Sequence, residues 1–341
     1  MKFFIVDAFA DEAFAGNPAG VVILPDAAAK NESLGSLSDE AMRKIAAELR
    51  YSETAFVRIL GDGVFETRYF TPAAEVELCG HATIAAFHAL SEAGLIRGDG
   101  AYTNKTLAGD LRIEIKEGAV WMDMAPPRVI RTICDSAEIV ELYSVMGIET
   151  KAINSIGGPV KYFTMGGSSG EAGADLYPEI VSTGLPDIIL PMASREQLNA
   201  IKPDFPALAA LSKRHEVTGV HAFFVPAGNL HIPEVEDSCR TSETEGCCAN
   251  VAEIYCRNFA PLYGIDEEAA TGTANGALTY YLYERGIVKP GVRNRFRQGD
   301  AMGRSSIVET RLTADAEGNV SIKVGGHAVT LASGEMNESA P

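Results

Sequence analysis

The feature that most constrains this chain is an echo of itself. Cys79–Ile96 reads CGHATIAAFHALSEAGLI, and Thr271–Val288 reads TGTANGALTYYLYERGIV. Laid together without a gap, they share Gly80/Gly272, Ala82/Ala274, Ala85/Ala277, Leu90/Leu282, Glu92/Glu284 and Gly94/Gly286. RYFTP at Arg68–Pro72 precedes the first copy and RNFAP at Arg257–Pro261 precedes the second, each followed by a short acidic loop. Coincidence among small residues does not supply that second match, so the two halves read as related domains. In the first copy strong helix formers are apolar on most sides, and Gly94 marks the stop. A helix of that kind is buried on most faces. The 341 residues suffice for two domains that each enclose one.

The rest of the pattern supplies strands for the enclosure. KFFIVDAF and GVVIL read as strands with a Gly16-Asn17-Pro18 turn between them. Ser38 can cap a helix on which Met42, Ile45, Ala46 and Leu49 share a face. TAFVRIL and VFETRYF follow as strands, and LRIEIKEG with VWMDM as a hairpin. Pro126 and Pro127 interrupt the pattern. The boundary is therefore set there, with domains at 1–125 and 126–319.

Several function classes are excluded by composition and motif. The formal net charge is −17, a surface that repels phosphate backbones, so no nucleic-acid partner is expected. No stretch reaches the roughly 20 apolar residues of a membrane span. MKFFIVDAFADEAF meets Asp7, Asp11 and Glu12 too early for a secretory signal, which implies a cytoplasmic protein. Its six cysteines then read as free thiols, and the CRTSETEGCC run has neither the spacing nor the histidine of a zinc site. The Gly157-Gly158 and Gly166-Gly167 pairs form no phosphate loop, and no dinucleotide fingerprint occurs.

What the duplication favours is anion chemistry. A helix N-terminus presents unpaired N–H groups and a partial positive charge. Packed pseudo-symmetrically, two such ends can hold one small carboxylate in a shared cleft, a common setting for small ligands.

VDAFADEAFAGNPAGVV, SETAFV, RYFTPAAEVELCGHATIAA, RNFAPLYGIDEEAATGTANGA and QGDAMGRSS, with the final VSIKVGGHAVTLASGE, together resemble the phenazine-biosynthesis PhzF-like family. The motifs agree in order and spacing over nearly the whole chain. The resemblance implies an α/β fold of the diaminopimelate epimerase type: two similar domains, each a mixed sheet curled around a central helix. It implies that a strand near 320–332 returns to the first domain. It further implies a cofactor-free, metal-free isomerase, active as a homodimer on a small anionic substrate.

Residue by residue, Glu53 in YSETAFV matches the family's general acid/base, since a placed carboxylate can carry a proton between carbon atoms. His81, in the GHAT that opens the first helix, matches a pocket histidine; a packed structural histidine is the alternative. Where the family commonly has E-D-P-A-T-G-S, this chain reads Glu267-Glu268-Ala269-Ala270-Thr271-Gly272-Thr273. Glu268 thus stands for a functional aspartate and Thr273 for a functional serine. Each keeps the chemical group and changes its reach, and the loop loses a constraining proline. Gly80, Thr271 and Gly272 complete the two helix starts as substrate-binding positions. Asn17 and Arg304 lie in motifs near the pocket, with turn-holding as the alternative for Asn17.

Cys79 occupies a position where epimerases and racemases of this fold carry a thiol, but Thr271 occupies the second. A hydroxyl is too weak an acid to complete a two-thiol racemase. Three readings stay open: acid/base isomerisation through Glu53, a Cys79-dependent epimerase or dehydratase, and a ligand-binding homologue without chemistry.

Overall fold

Strand β1 (Lys2–Ala8) pairs antiparallel with β2 (Asn17–Ile23), and β2 pairs parallel with β3 (Thr54–Gly61). The computed structural model describes residues 1–25, 37–148, 159–162, 174–226 and 253–336. Cys239, Cys247 and Cys248 and the Gly157-Gly158 and Gly166-Gly167 pairs lie outside the described residues. The chain divides into two units. Unit 1 holds Met1–Asp123, Arg304–Ser306 and Gly325–Pro341; unit 2 holds Met124–Gly303 and Ile307–Val324.

In unit 1, helix α1 (Asp39–Leu49) lies between β2 and β3 in sequence, and Ser38 caps it by accepting from the Ala41 N–H. Its Met42 and Ala46 pack with Val22, Leu24, Phe56 and Phe70. Strand β3 continues antiparallel into β4 (Val64–Phe70), beside which lies the short β5 (Glu75–Val76). Helix α2 (Gly80–Glu92) follows, then β6 (Gly100–Thr106), parallel to β4, and the meander β7 (Gly109–Lys116) and β8 (Ala119–Asp123). Helix α2 packs on β1, β2, β3 and β8, which span the sheet, so the sheet curls around it. Ala82, Ile84, Ala85, Ala86, Phe87, Ala89 and Leu90 are all buried, as expected for a helix without a polar side.

Unit 2 repeats the pairing. The chain enters it through β9 (Arg128–Thr132), then α3 (Ser136–Val145), the two-stranded pair β10 (Val160–Tyr162) and β11 (Ala174–Leu176), β12 (Glu179–Ser182) and β13 (Pro186–Pro191). Helices α4 (Arg195–Asn199) and α5 (Phe205–His215) precede β14 (Gly219–Phe224), β15 (Ile254–Ala260) and β16 (Ile265–Glu268). Then come α6 (Gly272–Tyr283), β17 (Arg293–Gln298), β18 (Ser306–Ala314) and β19 (Val320–Gly326), after which β20 (Ala328–Glu335) lies in unit 1. Pairs β12–β13 and β14–β15 are antiparallel, while β13–β14 and β15–β17 are parallel. That is the alternation of β1–β2–β3–β4–β6, with α6 in the place of α2. Helix α6 packs on β9, β12 and β13. It is tightly held: a Cβ on Gly276 would lie 3.0 Å from the Thr183 hydroxyl oxygen.

The duplication extends to charge. Arg68 grips Glu75 through two bonds of 2.7 and 2.6 Å, and Arg257 grips Glu267 through two of 2.8 Å, at matching positions. Such bidentate pairs fix the acidic loop that leads to each helix.

Two expectations change. Asn17 and Pro18 belong to β2, paired with Ala8 and Asp7, not to a turn. The turn's demand falls on Gly16, at φ +67°, where a Cβ would sit 2.3 Å from the Ala8 carbonyl oxygen. The C-terminal stretch is two strands broken at His327, of which β20 pairs antiparallel with β1.

Arg304 secures the β1–β2 connection. Its Nε donates to the Gly16 carbonyl at 2.9 Å, and its guanidinium also donates to the Ala15 carbonyl and the Asp7 carboxylate. Asp7 is fully buried and accepts the Phe14 N–H at 2.8 Å. Removing one partner of such a pair strands the other charge. Arg304→Met should therefore lower unfolding stability by about 3 kcal/mol, read by urea denaturation. A loss below about 0.5 kcal/mol, the size of an ordinary surface change, would show that the clamp carries little.

Candidate active site

Three proton-transfer groups converge at the start of α2. Cys79 is the N-cap residue, in extended conformation, and its side chain makes no capping bond. It turns instead to His81, with Sγ 3.4 Å from Nδ1. On the ring's other nitrogen, Nε2 lies 3.3 Å from the Glu53 carboxylate and 3.4 Å from the Ser52 hydroxyl. Glu53 Oε2 is buried, within ion-pair reach of the ring but off line for a hydrogen bond. Glu53 immediately precedes β3, and its carbonyl accepts the Gly20 N–H, which anchors it to the sheet. His81 is buried at 3% exposure, whereas Glu53 and Cys79 are half-buried, so the cluster is open on the carboxylate and thiol side.

This arrangement can store, accept and return a proton. It also has a donor set, thiol, imidazole and carboxylate, with ligand atoms all within 4.8 Å of one another. Tetrahedral Zn²⁺ places its ligand atoms about 3.3–3.5 Å apart, so these residues could hold one once their ligand atoms close in around a single ring nitrogen. Spacing along the chain shows no third ligand for Cys79 and His81; the fold provides it in Glu53.

In unit 2, Thr271 is the N-cap of α6 and likewise makes no capping bond. Its hydroxyl donates to the Glu268 carboxylate at 2.7 Å. Glu268, the last residue of β16, is thereby held beside the helix start. Gly272 is buried and Thr273 half-buried in the first turn; the Thr273 carbonyl accepts from Thr183 at 2.9 Å. Gly80 holds the equivalent first helical position in unit 1. His88 faces Glu92 at 3.7 Å on the far end of α2, away from the cluster. Asn17 is a buried strand residue and Arg304 a loop clamp.

The strand registers locate the asymmetry. Ala55 pairs with Tyr69 in unit 1 as His221 pairs with Asn258 in unit 2. Counting back two residues, the counterpart of Glu53 is Gly219. The duplicated framework therefore carries this acid/base once.

Sequence reasoning missed a polar group in unit 2. Gln298, in QGDAMG, accepts from the Thr271 N–H at 3.2 Å and donates to the Glu268 carbonyl at 2.7 Å. Asn275, which the repeat sets against Thr83, donates to the Thr271 carbonyl at 2.9 Å. The matching Thr83–Cys79 bond is 2.7 Å. Asp187, opposite Gly219 on β13, is fully buried and neither carboxyl oxygen has a partner of hydrogen-bond geometry. Burial, reinforced by the nearby Glu268 charge and only partly offset by the Gly219 N–H, pushes its carboxyl up to about 8.

The chain matches the family described as phenazine biosynthesis-like protein over residues 6–334. An uncharacterized isomerase of Clostridium acetobutylicum is 31% identical, with 97% of this chain and 96% of that one covered. One from Deinococcus radiodurans is 32% identical over 91% of this chain and 86% of its own. In fold, the chain resembles a phenazine biosynthesis protein of the PhzF family from Bacillus anthracis, with TM-score 0.74, 23% identity and 99% of both chains covered. It also resembles a probable proline racemase from Agrobacterium radiobacter, with TM-score 0.56, 13% identity and coverage of 98% and 92%. Among the described residues, no helix is long and apolar enough to cross a membrane.

Two outcomes follow from these groups. Folded Asp187 holds its proton from about pH 4 to about pH 8 while the unfolded chain releases it, so wild-type stability falls as pH rises through that window. Asp187→Asn should remove that slope in denaturant titrations, and an unchanged slope would contradict the buried acid. If the cluster works by proton transfer, added Zn²⁺ should inhibit turnover and a chelator restore it. An activity that depends on the added ion would make the cluster a metal centre instead.

Proposed function

The chain belongs to the phenazine biosynthesis-like family and is an isomerase, and we propose that it moves a proton between positions of a small carboxylate substrate by acid/base chemistry. The observation that carries this reading is Glu53 Oε2 lying 3.3 Å from His81 Nε2 at a helix start, with one face of the pair open. Glu53 is the acid/base that takes the proton from carbon and returns it. His81 lies beside that carboxylate, with Nε2 3.3 Å away, and lines the site with it. Gly80, at the first helical position beside the pair, offers a helix N-terminal N–H group to the substrate's anionic end. The charge that develops during transfer is enolate-like, and fixed donors of this kind stabilise it. Within unit 2, Glu268, Thr271, Gly272 and Thr273 form a second set of candidate residues at the start of α6.

A second reading has a specific observation behind it. Cys79 Sγ lies 3.4 Å from His81 Nδ1, so the imidazole bridges a thiol and a carboxylate. In an epimerase or dehydratase of this kind, Cys79 would act on the substrate directly. Thr271, its counterpart, is bonded to Glu268 and offers no second thiol.

Glu53→Gln keeps the shape and removes the base. Turnover should fall by about 10²- to 10⁴-fold, the usual contribution of a placed acid/base, with an unchanged melting temperature. Full activity in that variant would overturn the assignment. Cys79→Ala separates the two readings: it stays active if Glu53 alone does the chemistry and is inactive if the thiol does.

A further inference from the structure

The polar group around α6 is a chain with one direction, and backbone atoms fix its sense. The Glu268 carbonyl can only accept, so Gln298 must present its NH₂ there, at 2.7 Å. The Thr271 N–H can only donate, so Gln298 must present its oxygen to it, at 3.2 Å. The Thr271 carbonyl likewise fixes Asn275, whose NH₂ reaches it and the Gln298 oxygen, both at 2.9 Å. The Asn275 oxygen is then left facing His221 Nε2 at 3.3 Å, so Nε2 must carry the ring proton. Nδ1 is consequently an acceptor, and the Asn258 NH₂ lies 3.2 Å from it. At the other end, Gln298 NH₂ also donates to the Thr271 hydroxyl at 3.1 Å, and that hydroxyl spends its proton on the Glu268 carboxylate at 2.7 Å. His221, Asn258, Asn275 and Gln298 are all buried at 2% exposure or less.

Unit 1 shows what is particular here. Thr67 donates to Asn104 at 2.6 Å, and Asn104 to the Tyr69 hydroxyl at 3.0 Å. Tyr69 meets Thr83 at 2.6 Å, and Thr83 donates to the Cys79 carbonyl at 2.7 Å. That chain ends on backbone. In unit 2 the tyrosine is replaced by the shorter Asn258, and His221 replaces Ala55 beside it to bridge the gap. Gln298 then carries the chain past the carbonyl to a side-chain carboxylate.

We propose that His221 is a positioning residue: through Asn275, Gln298 and Thr271 it orients the Glu268 carboxylate at the start of α6. This rests on the reading of Glu268 as a functional residue. Every link presents its donor towards Glu268, so the carboxylate receives a proton-donating partner in a fixed place. A charged imidazole would put a proton on Nδ1 against the Asn258 NH₂ and break the sense of the chain. Burial keeps the ring neutral, holding its pKa down to about 4.

The test uses ¹⁵N-histidine-labelled protein, with His221→Phe and His221→Gln variants. NMR of the wild type should show His221 protonated on Nε2, bare on Nδ1, and unchanged from pH 5 to 8. A proton on Nδ1 would overturn the relay whatever the enzyme's activity. Glutamine can accept from Asn258 and donate to Asn275, whereas phenylalanine fills the space and does neither. In the variants' own turnover assay, His221→Phe should lower kcat by about tenfold or more, as misplaced groups do, and His221→Gln should recover most of it at an equal melting temperature. Equal turnover in both variants would overturn the positioning role. The NMR result stands apart from the Glu53→Gln outcome, so failure of the relay and failure of the isomerase reading are distinguishable.

Discussion

A helix with almost no polar side needs a sheet that wraps it, and that need is met twice in this chain. Once α2 and α6 are enclosed, their N-termini are set by the loops that deliver them. The Arg68–Glu75 and Arg257–Glu267 pairs hold those loops, and Thr83 and Asn275 tie each helix's fourth position back to its cap carbonyl. Neither cap side chain closes on its own helix, so both are left for other partners. Cys79 meets His81, and Thr271 meets Glu268.

The repeat is one of framework and not of chemistry. Where unit 1 places Glu53, unit 2 has Gly219, and a Cβ there would lie 2.0 Å from the Phe259 carbonyl oxygen. Where unit 1 has a thiol, unit 2 has a hydroxyl already committed to a carboxylate. Unit 1 therefore gathers a thiol, an imidazole and a carboxylate at its helix start. Unit 2 gathers hydrogen-bond donors around one carboxylate.

Much of this is legible in the sequence. Binary pattern and the gap-free repeat specify the two buried helices, because a 3.6-residue period with no polar side has few solutions. Glu53, Cys79 and His81 stand in the sequence as separate candidates; that they meet is not readable there, since strand entry and helix cap join only through sheet register. The Asn17 turn failed for a local reason: Gly16 alone supplies the positive φ, and Asn17 and Pro18 are free to pair with β1. His221 and Gln298 were invisible as a set. They are 77 residues apart in number and reach one another through Asn275. Their one trace was the repeat itself, which set Asn275 against Thr83.

In the proposed reaction a proton leaves and rejoins carbon on a small carboxylate at Glu53. The most direct measurement incubates the wild-type enzyme with a panel of small carboxylates in deuterated water and reads each by mass spectrometry. Any compound turned over should acquire deuterium at carbon. Turnover that leaves every carbon free of solvent deuterium would contradict it.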